Sequence, residues 1–267
     1  MVSFPPCKIN LGLHVLSKRP DGYHELETCF FPVPWTDILE ILPANETNFN
    51  ATGNVIPGDA AENLCLKAYQ LLRETYTLPP VYIHLHKVIP TGAGLGGGSS
   101  DSAYTLRAIN TLFELNLSQQ ELMAVAAKLG SDCAFFVQDQ PMIGRGRGEK
   151  LSPIQVDLTG KFLILIKPDI HVSTASAYAL VKPAIPTIPL TEVLKKDVSA
   201  WKDLLVNDFE LSVFQQYPAI AKIKDDLYEF GASYACMSGS GSTVFGIFEK
   251  PIDPSSFNQH QVWSGTL

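Results

Sequence analysis

Pro90-Thr-Gly-Ala-Gly-Leu-Gly-Gly-Gly-Ser-Ser100 is the stretch on which the reading of this chain turns. Five of the seven residues 92–98 are glycine. Before it, residues 81–88 alternate apolar and polar side chains as a strand does. After it, residues 101–114 place Ala103, Leu106, Asn110 and Phe113 on one helical stripe. A glycine-rich link from a strand into a helix suits a phosphate group. Glycine lets the backbone come close and adopt positive φ. The helix start adds unpaired N–H groups and the positive end of the helix dipole. Ser99 and Ser100 offer hydroxyls to cap the helix or to donate to phosphate. The reading therefore predicts a phosphate site along Pro90, Gly92, Gly94, Leu95, Gly96, Gly97, Gly98, Ser99 and Ser100.

The loop is not a P-loop, because no Gly-Lys-Ser/Thr follows the glycines. Gly92-x-Gly94-x-x-Gly97 matches the dinucleotide fingerprint by letter. That fingerprint also needs an acidic residue on a second parallel strand ~20 residues later. Here the same region reads as a helix, Leu117 and the capping box Ser118-Gln-Gln-Glu121. A Rossmann site is set aside.

Working outward, residues 9–16 read as a strand, followed by the turn Arg19-Pro-Asp-Gly22. Strands are expected at 26–33 and 38–42, a loop region at 45–60 and a helix at 62–76. Residues 135–137 and 162–167 look like buried strands. Prolines mark a seam at 182–189. Helices are expected at 190–196, 201–206, 209–215 and 219–230, and strands at 234–237 and 243–248. Residues 251–267 read as a weakly patterned tail. Strands and helices mix without a regular βα repeat, so the fold class is α+β.

Composition limits the function. Hydrophobic residues make up 46% of 267 and charged residues 18%, so the chain folds around a core. Its apolar runs fall far short of the ~18–20 residues that span a bilayer. A net charge of −7 argues against a nucleic-acid partner. Cys7, Cys29, Cys65, Cys133 and Cys236 are scattered and include no C-x-x-C. They therefore suggest buried thiols in a reducing compartment, not a disulfide or zinc framework. MVSFPPCKIN has neither a cationic start nor an apolar stretch, so no signal peptide and a cytoplasmic location are expected. Monomer and dimer both remain open.

Three segments in order carry a family resemblance: Cys7-Lys-Ile-Asn-Leu-Gly-Leu13, the glycine loop, and Met237-Ser-Gly-Ser-Gly-Ser-Thr-Val-Phe245. Together they resemble the GHMP kinases, which include galactokinase, homoserine kinase and mevalonate kinase. Four further stretches narrow the match: Arg19-Pro-Asp-Gly-Tyr-His-Glu25, Gly94-Leu-Gly-Gly-Gly-Ser-Ser100, Gly130-Ser-Asp-Cys-Ala-Phe-Phe136 and Asn207-Asp-Phe-Glu210. They are similar to the branch that phosphorylates a cytidine diphosphate-linked methylerythritol in the non-mevalonate isoprenoid route. The resemblance runs over residues 6–248.

The resemblance implies a two-lobed α+β fold. Residues 1–150 would form an N-terminal lobe like domain 2 of ribosomal protein S5, carrying the glycine loop. Residues 151–267 would form a C-terminal lobe related to ferredoxin-like folds. It implies ATP and Mg²⁺ as cofactors, and transfer of the γ-phosphoryl group to the substrate's 2-hydroxyl. Lys8 matches the family's catalytic lysine, and Asp132 its catalytic aspartate, which also contacts the substrate. Such a pair removes the alcohol proton and stabilises the developing alkoxide. Asn10, Tyr23 and His24 match substrate positions, the last two at the cytidine. Tyr178 is expected to give the base an opposite stacking face. The glycines of 238–242 would bring backbone close and support the glycine loop. From the residues alone, Lys8 is equally an edge-strand cation and Asp132 a cap.

Other groups stay open. Asp208 and Glu210 fit family positions or helix caps. His84 and His86 share a strand face, which reads as a polar face because no third ligand is evident. Arg145-Gly-Arg147 is a basic pair that attracts phosphate or forms a solvated turn. Ser102, Ser131, Cys133 and Ala134 depart mildly from the family pattern.

Overall fold

The computed structural model describes residues 1–267. In chain order the strands and helices begin with β1 (Val2–Ser3), β2 (Pro6–Lys18), β3 (His24–Thr36), β4 (Ile38–Pro43) and β5 (Asn48–Gly53). α1 (Leu64–Arg73), β6 (Val81–Lys87), α2 (Gly97–Leu112) and α3 (Gln119–Ala126) follow. Then come β7 (Met142–Gly146), β8 (Lys150–Pro153), β9 (Phe162–Lys167), α4 (Thr174–Tyr178) and α5 (Leu190–Val193). The chain ends with α6 (Phe209–Gln216), α7 (Pro218–Glu229), β10 (Tyr234–Met237), β11 (Val244–Phe248) and β12 (Gln261–Thr266). These elements form two compact units, neither continuous in sequence.

The first unit comprises Met1–Lys8, Pro32–Thr91 and Gly96–Gln140. Its sheet has the order β1-β4-β6-β5, with β5 parallel to β6 and the other pairs antiparallel. Along β6 every second residue is buried, so Val81, Ile83 and Leu85 turn inward. Leu39 and Ile41 of β4 share that face, and α2 packs against β4 with α1 beside it. α3 opens on the expected capping box. Ser118 Oγ accepts from Glu121 N at 3.3 Å, and Glu121 Oε2 accepts from Ser118 N at 2.8 Å.

The second unit comprises Ile9–Phe31, Gly92–Leu95 and Pro141–Leu267. One antiparallel sheet runs β10-β11-β9-β12, and residues 9–31 and 141–153 build the sheet β2-β3-β7-β8. β9 is buried on both faces from Phe162 to Ile166, which explains its unbroken apolar run. α6 and α7 cover the first sheet with Val213, Ile220, Ile223 and Leu227.

Five expectations on elements are corrected. Residues 135–137 form a 3₁₀ turn, because the chain reverses at Gly130 and Phe135 N bonds Asp132 O at 3.2 Å. Residues 201–206 make turns, not a helix. Trp201 is buried, its indole N–H bonding Lys196 O at 3.1 Å. α2 begins at Gly97, four residues before the expected start. The region expected as a loop holds β5, a polar edge strand held by backbone bonds to β6. The tail holds β12, which pairs with β9 in the register Val262↔Ile166. Both strands depend on distant partners that local patterning does not reveal.

Candidate active site

β6 ends at Lys87 and the chain passes through the glycine loop into α2. Gly94 has φ +78°, and a Cβ there would lie 2.1 Å from Ser238 O. No other residue fits this approach. Ser238 Oγ donates to Gly94 O at 2.9 Å, and Thr243 N to Ala93 O at 3.2 Å. The loop 238–242 thus braces the glycine loop, as the resemblance implies. Gly96 caps α2 from the left-handed region, φ +70°, with no side-chain bond. Its missing Cβ would meet the Phe136 ring at 3.0 Å and Lys8 Cε at 3.2 Å. Ser99 and Ser100 therefore do not cap the helix. They lie inside its first turn, where Ser100 Oγ is buried without a partner.

Lys8, on β2, is buried, and its Nζ lies 3.7 Å from Asp132 Oδ2. The Asp132 side chain is 31% exposed. It stands in the turn after Gly130, where Cys133 N bonds Gly130 O at 3.2 Å. Burial draws the Lys8 ammonium below its ordinary pKa, and the Asp132 charge opposes that. With its side chain partly open to solvent, the Asp132 carboxylate can meet a hydroxyl.

Asn10 follows two residues later on β2. Its Nδ2 donates to Thr28 Oγ1 at 2.9 Å, and Thr28 Oγ1 donates to Gly12 O at 2.6 Å. Asn10 Oδ1 accepts from Ser238 Oγ at 3.5 Å. The side chain is held in place by both neighbours. Thr28 and Ser238 belong to this network but gave no local signal.

His24 and Tyr178 stack with ring centroids 4.6 Å apart and planes 20° apart. Phe209 supports Tyr178 edge-on at 4.7 Å. Tyr178 thus backs His24, and the two rings form one aromatic surface. Tyr23 is 56% exposed, with the Arg147 guanidinium 4.8 Å from its ring centroid.

Asp208 and Glu210 brace backbone and do not cap α6, whose first N–H, at Phe209, donates to Asn207 Oδ1 at 3.0 Å. Asn207 Nδ2 donates to Met237 O and Gly239 O, both at 2.8 Å. Asp208 Oδ2 accepts from Val15 N at 2.7 Å. Glu210 accepts from Met237 N at 2.8 Å and Lys224 Nζ at 2.6 Å. His84 Nε2 and His86 Nδ1 both bond Thr52 Oγ1, at 3.0 and 2.9 Å, as a polar strand face does.

Sequence reasoning passed over a buried trio. Lys87 Nζ donates to Asp37 Oδ2 at 2.5 Å and Asp101 Oδ2 at 2.6 Å, and all three side chains are buried. Asp37 Oδ1 also accepts from Val88 N and Ile89 N, at 2.6 and 2.8 Å, which fixes the chain entering the glycine loop. Burial pushes the Asp101 carboxyl up to about 7 against the pull of Lys87. Burial alone would lower the Lys87 ammonium, but the two carboxylates hold it above its ordinary value. A cavity of about 280 Å³ opens beside the trio. Phe49, Ile56, Asn63, Leu64, Lys87 and Asp101 line it, with Thr91 and Gly98 of the glycine loop.

Comparison with known proteins shows the family of the chain. The GHMP kinases N terminal domain matches residues 63–146, and the GHMP kinases C terminal domain matches residues 190–257. A 4-diphosphocytidyl-2-C-methyl-D-erythritol kinase of Cytophaga hutchinsonii is 55% identical over 261 residues, 97% of this chain and 96% of that protein. One from Parabacteroides distasonis is 48% identical over 270 residues, 100% of both chains. A crystal structure of 4-(cytidine 5'-diphospho)-2C-methyl-D-erythritol kinase aligns with a TM-score of 0.86 and 32% identity, over 100% of this chain and 98% of that one. The chain belongs to the GHMP kinases and, among them, to the family of 4-diphosphocytidyl-2-C-methyl-D-erythritol kinases.

Proposed function

We propose that the chain transfers the γ-phosphoryl group of ATP to the 2-hydroxyl of 4-diphosphocytidyl-2-C-methyl-D-erythritol, in the non-mevalonate route to isoprenoids. Membership of the family makes it a small-molecule kinase that uses ATP. The observation that carries the chemistry is the Lys8–Asp132 pair. In this reading Asp132 takes the proton of the acceptor hydroxyl. The alkoxide oxygen bonds the γ-phosphorus as the bond from phosphorus to the ADP oxygen breaks. That electron pair leaves with ADP. Lys8, kept cationic by Asp132, offsets the negative charge that gathers between acceptor and phosphoryl group.

The remaining roles follow from local geometry. Residues 90–100 would hold the ATP phosphates with backbone N–H groups and the start of α2. The cavity lined by Phe49, Leu64 and Lys87 is mostly apolar with a few polar groups, which suits the nucleotide's base. Asn10 would orient the acceptor, and Tyr23 with the His24–Tyr178 surface would receive the cytosine. Mg²⁺ would enter on the phosphates of ATP. No group of three His, Cys, Asp or Glu side chains is placed to hold a metal.

Residues 1–150 would form the lobe with the glycine loop, and residues 151–267 the C-terminal lobe. No helix is long and apolar enough to cross a membrane, and we place the enzyme in the cytoplasm. The test is ADP release with ATP and Mg²⁺. 4-Diphosphocytidyl-2-C-methyl-D-erythritol, mevalonate, homoserine and galactose are offered side by side. Turnover with the cytidyl substrate alone is expected. Turnover with another alcohol would keep Lys8 and Asp132 but remove the roles of Tyr23, His24 and Tyr178.

A further inference from the structure

Three arginines stand around the turn that presents Tyr23, and they differ in how much of their charge is already used. Arg19 is committed. Its Nη1 donates to Glu25 Oε2 at 2.9 Å and its Nη2 to Asp21 Oδ2 at 3.0 Å. Arg145 is committed as well, with Nη2 2.8 Å from Glu27 Oε1. Arg147 forms no ion pair. Its guanidinium is exposed over the Tyr23 ring, 4.8 Å from the centroid. Its backbone N–H is anchored to Glu149 Oε2 at 2.5 Å. Asp21 feels its charge only weakly: that carboxyl is held below its usual range first by Arg19, with Arg147 the last contributor.

We infer that Arg147 is a substrate-binding residue that takes the diphosphate of the cytidine substrate. The inference rests on the reading that Tyr23 meets the cytosine. A guanidinium carries five N–H donors along its edges and none on its face. Stacking on Tyr23 uses the face, so the edge donors stay available to a planar pair of phosphate oxygens. The chain is acidic, at −7 overall, and a diphosphate ester is anionic. Holding it requires a local cation not already neutralised. Arg147 meets that requirement beside Tyr23, and Arg19 and Arg145 do not. The ring also limits the rotamers open to Arg147, which lowers the entropy lost on binding.

The experiment measures inhibition of the purified kinase by cytidine, which has no phosphate, and by CDP, which has two. Wild type is compared with Arg147→Gln, Arg147→Lys, Arg145→Gln and Tyr23→Ala. Arg147 is exposed, so its replacement leaves the core untouched. Arg147→Gln is expected to weaken CDP roughly tenfold, the size of a lost charge-assisted hydrogen bond. Cytidine and the KM for ATP should not change. Arg147→Lys should recover part of the loss, and Arg145→Gln should behave as wild type. The inference is overturned if Arg147→Gln binds CDP like wild type, if it weakens cytidine equally, or if Arg145→Gln matches it. It is also overturned if wild type binds CDP no better than cytidine. Unchanged cytidine inhibition in Tyr23→Ala, with CDP still weakened in Arg147→Gln, would remove the base contact alone and leave the phosphate contact standing.

Discussion

Two lysines of the first unit sit against carboxylates in opposite ways. Lys87 is gripped by Asp37 and Asp101 at 2.5 and 2.6 Å, all three out of solvent. Lys8 faces one carboxylate, Asp132, at 3.7 Å, with that partner partly exposed. Burial acts on both ammonium groups, yet Lys8 ends below its ordinary pKa and Lys87 above it. The sign follows the number and closeness of the negative partners. A saturated cluster anchors the chain. At Lys8 the carboxylate partner reaches solvent, so a ligand can approach it. A charged pair with one member reaching solvent is placed for chemistry, and a cluster sealed from solvent serves architecture.

Breaking the open pair should give the largest effect. Asp132→Asn is expected to lower kcat by ~10²–10⁴-fold, the usual worth of a general base. ATP binding, followed by fluorescence or calorimetry, should be unchanged. A near-normal rate would remove Asp132 as the base. Breaking the filled cluster should instead cost stability. Lys87→Ala leaves two buried carboxylates facing each other, and about 3–5 kcal/mol should be lost in denaturant unfolding. A loss below ~1 kcal/mol would mean that Asp37 and Asp101 find other partners or ionise apart.

The pH dependence sharpens the same contrast. Asp101 titrates at about 7 in the folded chain, above its unfolded value of ~3.9. The folded state therefore holds this proton more tightly. The stability it contributes is full below pH ~4 and is lost as pH rises towards 7, levelling off beyond. Unfolding curves across that window should flatten in Asp101→Asn. An equally steep dependence in that variant would assign the proton elsewhere. The smallest effect is expected at the aromatic surface. His24→Ala removes the stack on Tyr178 and should raise KM for the cytidyl substrate by up to about tenfold. KM for ATP should hardly move, and equal rises in both would count against a cytidine site there.

Much of the site was legible because it is local. The loop at 90–100 is read from glycine density between a strand and a helix, and both flanking elements are present. Ser118 and Glu121 announce their capping box three residues apart. Lys8 and Asp132 required the family resemblance, since 124 positions separate them and no spacing rule joins them. The stack of Tyr178 on His24 was not legible, because a ring–ring distance has no signature in either residue's flanks.

By itself, the sequence determined the α+β class, the glycine loop and the amphipathic faces of α1 and α7. Periodicity, turn chemistry and short motifs are interactions between near neighbours, and these are written in the order of residues. Only the tertiary structure decided that Lys87 lies between Asp37 and Asp101, that β12 completes the sheet on β9, and that Ser238 reaches Gly94. Each joins positions at least 14 residues apart. Their energies come from burial and close approach, which exist only once the chain has folded.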